Sequence, residues 1–176
     1  MCRREIRLLV FVAALGLALP GTSVATTPAQ SDSSSSANGK AKLVDLWSPG
    51  DPGQRMNIRG RVTSLDGTPL PGVSISIRQA NGAGDYTEPY STTLESDARG
   101  RFQFGSVVPG NYYGARHVHV NVYQKGFAYY DSSILFKGDP NLDEHYEDGT
   151  AIFLEESNVN GETIMFGRFD IVLTPE

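Results

Sequence analysis

Short stretches of alternating hydrophobic and polar residues recur along the chain from Met56 onward, and they predict β-strands. In the clearest stretch, Val73 to Gln79, the β-branched residues Val73, Ile75 and Ile77 occupy every second position. Successive side chains of a strand point to opposite faces, so this spacing buries one face and leaves the other polar. The same spacing predicts further strands at 56–63, 101–104, 117–123, 133–136, 151–154 and within 162–173.

Turn-forming residues separate these strands at short intervals. The segments Asp66–Gly72, Asn81–Asp85 and Gly138–Pro140 are rich in Gly, Pro, Asn and Asp, which favour turns because of their backbone preferences. We find no amphipathic helix of ordinary length in the pattern. About seven or eight short strands with frequent turns predict an all-β fold, an antiparallel β-sandwich of the prealbumin or immunoglobulin-like type over residues 56–176.

The N-terminal residues 1–25 have the order of a secretory signal peptide. Basic residues precede an apolar run, Leu8 to Leu19, and the small residues Ser23-Val24-Ala25 follow it. This order is typical of export signals, and the apolar run is short for a bilayer span. We expect an exported protein, periplasmic or extracellular, with no membrane span in its mature form. Both the general and the twin-arginine export routes remain open.

Two further segments precede the predicted sandwich. Residues 26–42 are rich in Ser, Thr, Ala and Gly and lack the apolar residues needed to fold, which predicts a disordered tether. Residues 43–55 contain Trp47, the only tryptophan, before a Pro- and Gly-rich sequence. We expect a short arm that packs Trp47 on the sandwich.

The amino-acid composition indicates how the mature protein is stabilised and which partners it excludes. The only cysteine, Cys2, lies in the predicted signal, so the mature protein forms no disulfide and depends on its packed core or on a bound metal. The chain has 15 basic and 20 acidic residues and a net charge of −5, which becomes −7 when the signal removes three arginines and one glutamate. An acidic chain whose sequence has no Lys/Arg cluster argues against nucleic acid as a partner.

The predicted strand 117–123 carries the strongest candidate chemistry. Its valines alternate with polar residues, so His117 and His119 lie side by side on the polar face. Paired imidazoles on one strand face can share a metal ion. The chain has three histidines, and we interpret the third, His145, as a solvated residue of an acidic loop.

Nearby tyrosines indicate which metal these histidines would suit. Tyr86 follows a Gly-rich turn, and Tyr112 and Tyr113 follow Pro109-Gly110. A phenol with a pKa of about 10 loses its proton to a strongly charged Lewis acid, and the phenolate in turn favours Fe(III) over Fe(II). Two tyrosines and the His-x-His pair therefore indicate a mononuclear Fe(III) site if the side chains converge. The alternative is a solvated strand face beside aromatic residues that cap the end of the sandwich.

Several segments of the chain resemble, in the same order, the intradiol ring-cleavage dioxygenases. The resemblance covers about residues 56–173, nearly the whole predicted sandwich. The matching segments are Gly60–Val73, Ile77–Ala80 followed by Gly84-Asp85-Tyr86, Ser96–Phe104, Val108–Tyr112, His117–Val120, Gly126-Phe127, Phe136–Pro140 and Phe169–Leu173.

The resemblance implies a β-sandwich that holds Fe(III) with two tyrosines and two histidines and cleaves catecholic rings with O₂. The ligands then fall on Tyr86, Tyr112, His117 and His119, with Tyr113 as an alternative register for the second tyrosine. It also implies that the catechol binds as a dianion and displaces the Tyr112 phenolate, which then serves as a base. Both oxygen atoms enter the product, and the ring opens between its two hydroxyl-bearing carbons to give a muconate-type diacid.

The chain departs from the family pattern close to these residues. Fewer residues than in the family separate Tyr112 from His117, and Arg116, which aligns with the family's active-site cation, directly precedes His117. Tyr112 and Arg116 are the predicted catalytic residues, although strand alternation would point Arg116 to the face opposite His117. Arg78 replaces a tryptophan of the family, and Ser132-Ser133 replace its Thr-Gln pair.

A second resemblance supports a different class of function. The segment Ile58–Ile77 is also similar to transthyretin-like and carboxypeptidase-regulatory-like domains, which are structural or adhesive modules. The second hypothesis is therefore a non-catalytic exported sandwich module, and an intermediate one is an iron-binding relative that has lost turnover. Convergence of the four predicted ligands distinguishes the iron site from the module.

Overall fold

The structure, a computed structural model, describes residues 41–143 and 150–176. In these two ranges the chain forms two β-sheets, and the predicted β-sandwich is confirmed. The predicted signal peptide, the predicted tether as far as residue 40, and His145 lie outside the described residues. No helix in the two ranges is long and apolar enough to cross a membrane.

The first sheet is built around one long strand. Its strands are β1 Leu43–Asp45, β2 Arg55–Ser64, β5 Arg101–Val107, β9 Glu155–Val159, β10 Glu162–Arg168 and β11 Ile171–Leu173. Their order is β1-β5-β2-β10-β9, and β11 continues beside the far end of β2. The central strand β2 therefore has β5 on one side and β10 followed by β11 on the other.

The second sheet places the histidine strand at its centre. Its strands are β3 Ser74–Gln79, β4 Ser91–Glu95, β6 His117–Tyr123, β7 Tyr130–Phe136 and β8 Ala151–Ile152. Their order is β4-β3-β6-β7-β8, and β6 pairs antiparallel with both of its neighbours. A central strand has ladder hydrogen bonds on both edges, so the side chains of β6 have fixed positions.

The inward faces of both sheets form one hydrophobic core. On β6 the residues Val118, Val120 and Val122 are at most 1% exposed, as the alternation predicts. They belong to the same core as Met56 and Phe104 of the first sheet. Burying one such side chain contributes about 1.5–3 kcal/mol, so the core holds β6 firmly beneath its polar outer face.

The sequence predicts antiparallel sheets, but both sheets are mixed. Parallel pairing joins β1 to β5, β10 and β11 to β2, and β7 to β8. An alternating hydrophobic pattern is the same when read in either direction, so it predicts a strand without predicting its orientation. The predicted stretch 162–173 also divides into two strands, β10 and β11.

Two strands and the N-terminal arm show what the pattern missed. Leu94 is the only buried residue of β4, and every residue of β9 is exposed. These strands form because they pair with β3 and β10, not because they alternate in hydrophobicity. In the arm, residues 43–45 pair with β5, and the Arg55 guanidinium lies 4.1 Å from the centre of the Trp47 ring.

Candidate metal centre

The polar face of β6 carries the paired histidines in the middle of the second sheet. His117 lies opposite Leu135 of β7, and His119 lies opposite Ser133 of β7 and Arg78 of β3. Both histidines are half-buried. The buried valines that alternate with the polar residues of β6 fix the strand, and the spacing of the two imidazoles follows from it.

Tyr86 approaches the histidines from the loop after β3. The Asn81 side chain organises this loop by accepting hydrogen bonds from the backbone N–H groups two and four residues later, at 2.9 and 3.0 Å. Such Asx turns stabilise tight loops. The Asn81 carbonyl also accepts a 2.8 Å hydrogen bond from the Gly110 N–H, which ties the Tyr86 loop to the turn before Tyr112.

Two glycines let these loops touch backbone to backbone. Gly84 has φ +96°, and a Cβ there would lie 2.5 Å from the carbonyl oxygen of Asn111. A Cβ on Gly110 would lie 2.5 Å from the backbone nitrogen of Gly84. Glycine alone fits such an approach and adopts the positive φ without strain. The Gly-rich sequence therefore brings Tyr86 and Tyr112 together.

Three of the four predicted ligands converge at one point. The Tyr86 hydroxyl oxygen lies 3.1 Å from His119 Nε2 and 3.4 Å from His117 Nε2, and the two Nε2 atoms are 3.2 Å apart. His117 Nδ1 lies 2.8 Å from the carbonyl oxygen of Ala115, to which it donates its proton. Nε2 is therefore the ring nitrogen of His117 that faces the cluster.

The spacing of these three atoms fits a shared metal ion. Ligands that are about 2.0–2.1 Å from one ion and about 90–110° apart are separated by about 2.9–3.4 Å, which matches the three distances in the cluster. A cation between them would satisfy all three atoms at once. Among residues 41–143 and 150–176, no group of three or more His, Cys, Asp and Glu is placed to hold a metal. The donor set here is therefore two imidazoles and a phenol.

Tyr112, the predicted fourth ligand, lies beside this cluster. Its ring meets the Tyr86 ring edge-on, with centroids 5.0 Å apart and planes at 81°, and the residue is 45% exposed. Tyr113, the alternative register, is 95% exposed and packs against Tyr112. Of the two tyrosines, Tyr112 is the one whose ring packs on Tyr86. The Tyr112 ring therefore lies next to the phenol of the cluster.

Arg116, predicted as a catalytic cation, is half-buried and forms an ion pair with the buried Asp139. Its Nε and its backbone N–H donate to Asp139 Oδ2 at 2.8 and 2.9 Å, and the Asp139 side chain has no solvent exposure. Burial raises the pKa of Asp139, but hydrogen bonds from Arg116 and from the Asn141 N–H outweigh it and hold the pKa below its usual value. Arg116 and His117 line different clefts. The described contacts of the Arg116 side chain are with Asp139 and not with the three converging ligands.

Arg78 is part of the site in the structure. From the sequence it is expected only as a replacement for a tryptophan of the family, with no role assigned to it. Its guanidinium carbon lies 4.8 Å from the centre of the Tyr86 ring, close enough for a cation–π contact. Burial raises the pKa of the Tyr86 phenol, and the Arg78 charge partly offsets this rise. Burial, the neighbouring His117 and Arg78 together lower the pKa of His119. A neutral His119 has a lone pair available for a metal, and the guanidinium favours the phenolate form of Tyr86.

A cleft of about 640 Å³ opens beside His117. Its walls include residues 113–115 and the β7 residues Asp131 to Ser133. This volume lies in the usual range of small-molecule sites. Asn121, on the histidine face, donates a 2.8 Å hydrogen bond to Asp131 and so ties β6 to β7 at this edge. Tyr123, at the end of β6, is 73% exposed.

The fold and this cluster define a β-sandwich protein with a candidate mononuclear metal centre of histidine and tyrosine. A family model, the carboxypeptidase regulatory-like domain, matches residues 57–131. The chain is 32% identical over 133 residues to catechol 1,2-dioxygenase 2 of Acinetobacter lwoffii, a match that covers 60% of this chain and 47% of the relative. The chain thus spans about half the length of that curated relative.

Solved structures show the same fold. Catechol 1,2-dioxygenase from Pseudomonas arvilla C-1 is 24% identical with a TM-score of 0.69, covering 78% of this chain and 59% of that one. The dioxygenase domain of a dioxygenase–carbohydrate-binding fusion from Streptomyces sp. SirexAA-E is 24% identical with a TM-score of 0.64, covering 85% of this chain and 99% of that one. These comparisons confirm the resemblance to the intradiol ring-cleavage dioxygenases.

Proposed function

We propose that the chain is an Fe(III)-dependent intradiol dioxygenase that cleaves catecholic rings with O₂. The observation that carries this proposal is the convergence of Tyr86, His117 and His119 within 3.1–3.4 Å of one another. The similarity to a catechol 1,2-dioxygenase supports the same reaction class. In that reaction the bond between the two hydroxyl-bearing carbons breaks, and both atoms of O₂ enter a muconate-type diacid.

Tyr86, His117 and His119 would hold the iron, and Tyr112 would complete the set from its adjacent position. Bound Fe(III) would supply the Lewis acidity that favours phenolate and catecholate and makes the catecholate reactive toward O₂. Imidazole suits several transition metals, and it is the phenolate oxygen that favours a hard cation such as Fe(III) over a softer ion.

The other side chains would position the substrate and move its protons. Tyr112, half-exposed beside Tyr86, would accept a proton from a catechol hydroxyl once its own phenolic proton had been lost on iron binding. The cleft beside His117 is large enough to receive a single aromatic ring. The Arg78 guanidinium, 4.8 Å from the centre of the Tyr86 ring, would favour negative charge on this phenol.

Oxygen consumption with catechol tests this proposal directly. The iron-loaded chain should consume one O₂ for each catechol and release one diacid, identified by mass spectrometry with both oxygen atoms from ¹⁸O₂. Tyr86→Phe should abolish uptake, and Tyr129→Phe, which changes an exposed tyrosine, should leave it intact. Iron-loaded protein that takes up no O₂ with any catechol would contradict the proposal.

A non-catalytic sandwich module is the second candidate, because a carboxypeptidase regulatory-like model matches residues 57–131. A module of that kind has no need of a phenol and two imidazoles that share one point. Iron that binds without oxygen uptake would instead indicate the intermediate case, a relative that has lost turnover. The engagement of Arg116 by Asp139 is the structural feature that favours this intermediate case.

We also propose that the protein is exported to the periplasm or beyond. The order of basic, apolar and small residues at positions 1–25 supports this proposal. N-terminal sequencing of the protein recovered from a bacterial host should give a start at residue 26. An intact N-terminus on cytoplasmic protein would contradict it.

A further inference from the structure

The outer face of the first sheet carries a cluster of arginines assembled from three strands. We call it the arginine platform, and its members are Arg59 and Arg61 of β2, Arg101 of β5 and Arg168 of β10. They line a cleft of about 430 Å³. The chain carries a net charge of −5, and its sequence shows no basic run. The platform is therefore a local reversal of charge that strand pairing creates.

Strand register places like charges directly opposite each other on this platform. Arg61 faces Arg101 across β2 and β5, and Arg59 faces Arg168 across β2 and β10. Like charges in such cross-strand positions destabilise a sheet. Arg101 and Arg168 each have a carboxylate partner, whereas Arg59 and Arg61 are exposed and form no salt bridge with any residue of the two described ranges. An anionic ligand would relieve this repulsion.

Neutral groups beside the arginines indicate what kind of anion fits. Gln103 lies opposite Arg59, and Asn57 lies opposite Phe166, all on the wall of the same cleft. The Gln103 side chain is half-buried on this wall and is the amide that a ligand in the cleft can meet. Guanidinium groups bind carboxylates through two parallel hydrogen bonds. An amide such as that of Gln103 can hydrogen-bond to a sugar hydroxyl, and an aromatic ring such as that of Phe166 can pack on the apolar face of a sugar. A simple phosphate would make neither contact.

We propose that the arginine platform binds an acidic oligosaccharide built of uronate units. Neighbouring strands are about 4.8 Å apart and alternate residues of a strand about 6.7 Å apart, so the four arginines leave the backbone at intervals comparable to the length of one sugar unit. The platform and the histidine cluster lie on different sheets. The protein can therefore hold an acidic polymer on one side while the metal centre on the other stays accessible.

Calorimetric titration of the purified full chain with tetragalacturonate tests this site without iron or turnover. Tetragalacturonate should bind and neutral maltotetraose should not. Arg59→Gln and Arg61→Gln should each weaken binding at least tenfold. Lys125→Gln removes the same charge from an exposed turn of the other sheet and should change the affinity less than twofold. The melting temperature of Arg61→Gln should be no lower than that of the parent chain, because the substitution removes a like-charge pair. This control shows that weaker binding in the variant does not come from unfolding.

Four results would overturn the proposal. The first is tetragalacturonate that does not bind. The second is a loss of affinity in Lys125→Gln equal to that in Arg59→Gln, which would show general electrostatic attraction. The third is an oligonucleotide of equal charge that binds the platform as tightly, which would assign it to nucleic acid. The fourth is self-association that Arg59→Gln abolishes, which would assign the platform to a second copy of the chain.

Discussion

The Nε2 atoms of His117 and His119 face each other at 3.2 Å, and the Tyr86 hydroxyl lies within 3.4 Å of both. Two imidazoles on one strand face have this spacing because the alternation of β6 repeats every second residue. The hydrogen bond from His117 Nδ1 to Ala115 fixes which nitrogen of His117 is free. This relationship carries the metal assignment, and several predictions depend on it.

Removing either imidazole should remove most of the iron affinity. Competition with a chelator should show His119→Ala binding iron at least about 100-fold more weakly than the parent chain, since loss of a direct ligand exceeds the about 10–100-fold effect of an outer partner. Asn121→Ala, on the same strand face, should retain the metal. Equal affinities in the parent chain and His119→Ala would place the ion elsewhere.

A single added methyl group should disrupt the contact between the loop that carries Tyr86 and the turn before Tyr112. Gly84→Ala places a Cβ 2.5 Å from the Asn111 carbonyl at φ +96°, and we expect a loss of about 1–3 kcal/mol with a displaced Tyr86. Gly67→Ala is the matched control, because Gly67 has φ +83° but open space around its Cβ position. Both variants should lose some stability by thermal unfolding, but Gly84→Ala alone should lose iron affinity. Iron affinity that falls equally in both variants would argue against this loop contact.

Arg78 should tune the metal centre through the Tyr86 phenol. Replacing its charge with Arg78→Gln removes the guanidinium 4.8 Å from the ring centre, so the phenolate form should be less favourable and iron should bind several-fold more weakly at neutral pH. Arg78→Lys should recover part of the affinity, because it restores the charge without the planar group. An Arg78→Gln protein with unchanged iron affinity over pH 6–9 would show that the contact is only packing.

Asp139 should make the sandwich sensitive to acid. Its pKa is lowered in the folded state, so the folded protein binds fewer protons there than the unfolded chain. The stability that this carboxylate contributes is therefore present above the unfolded pKa of about 3.9 and is lost as the pH falls through the lower folded value. Asp139→Asn should cost about 2 kcal/mol at pH 7, because it leaves the half-buried Arg116 without its anion. The difference from the parent chain should shrink below pH 4, as urea unfolding at several pH values would measure. A difference that stays constant with pH would contradict this account.

Arg116→Gln separates the predicted catalytic role from the structural one. The ion pair with Asp139 predicts a loss of stability with little change in kcat/KM for catechol, measured well below the melting temperature. A fall in kcat of more than about 100-fold in a folded variant would instead support a catalytic cation.

Local patterns were enough to predict the core strands and the histidine pair, although not β1, β4 or β9. Alternation around Val118, Val120 and Val122 predicts both the burial of the valines and the shared face of His117 and His119, because each depends only on residues of one strand. The approach of Tyr86 follows from the order of family-like segments and from the glycines that let its loop touch the turn before Tyr112.

Features that depend on how strands pair could not be predicted from the sequence. Arg78 joins the site because β3 and β6 pair in one particular register, and the arginine platform exists because β5, β2 and β10 bring Arg101, Arg61 and Arg168 together. Neither register is encoded in the period of the hydrophobic pattern. The prediction of wholly antiparallel sheets was wrong for the same reason, since the parallel pairing of β10 with β2 involves distant parts of the chain.

The visible absorption spectrum during a titration with Fe(III) tests the metal assignment most directly. We expect a burgundy phenolate-to-iron band that saturates at one iron per chain, persists in Tyr129→Phe and disappears in Tyr86→Phe. A parent chain that binds iron without this band, or a band that is unchanged in Tyr86→Phe, would contradict the assignment of Tyr86 to the metal centre.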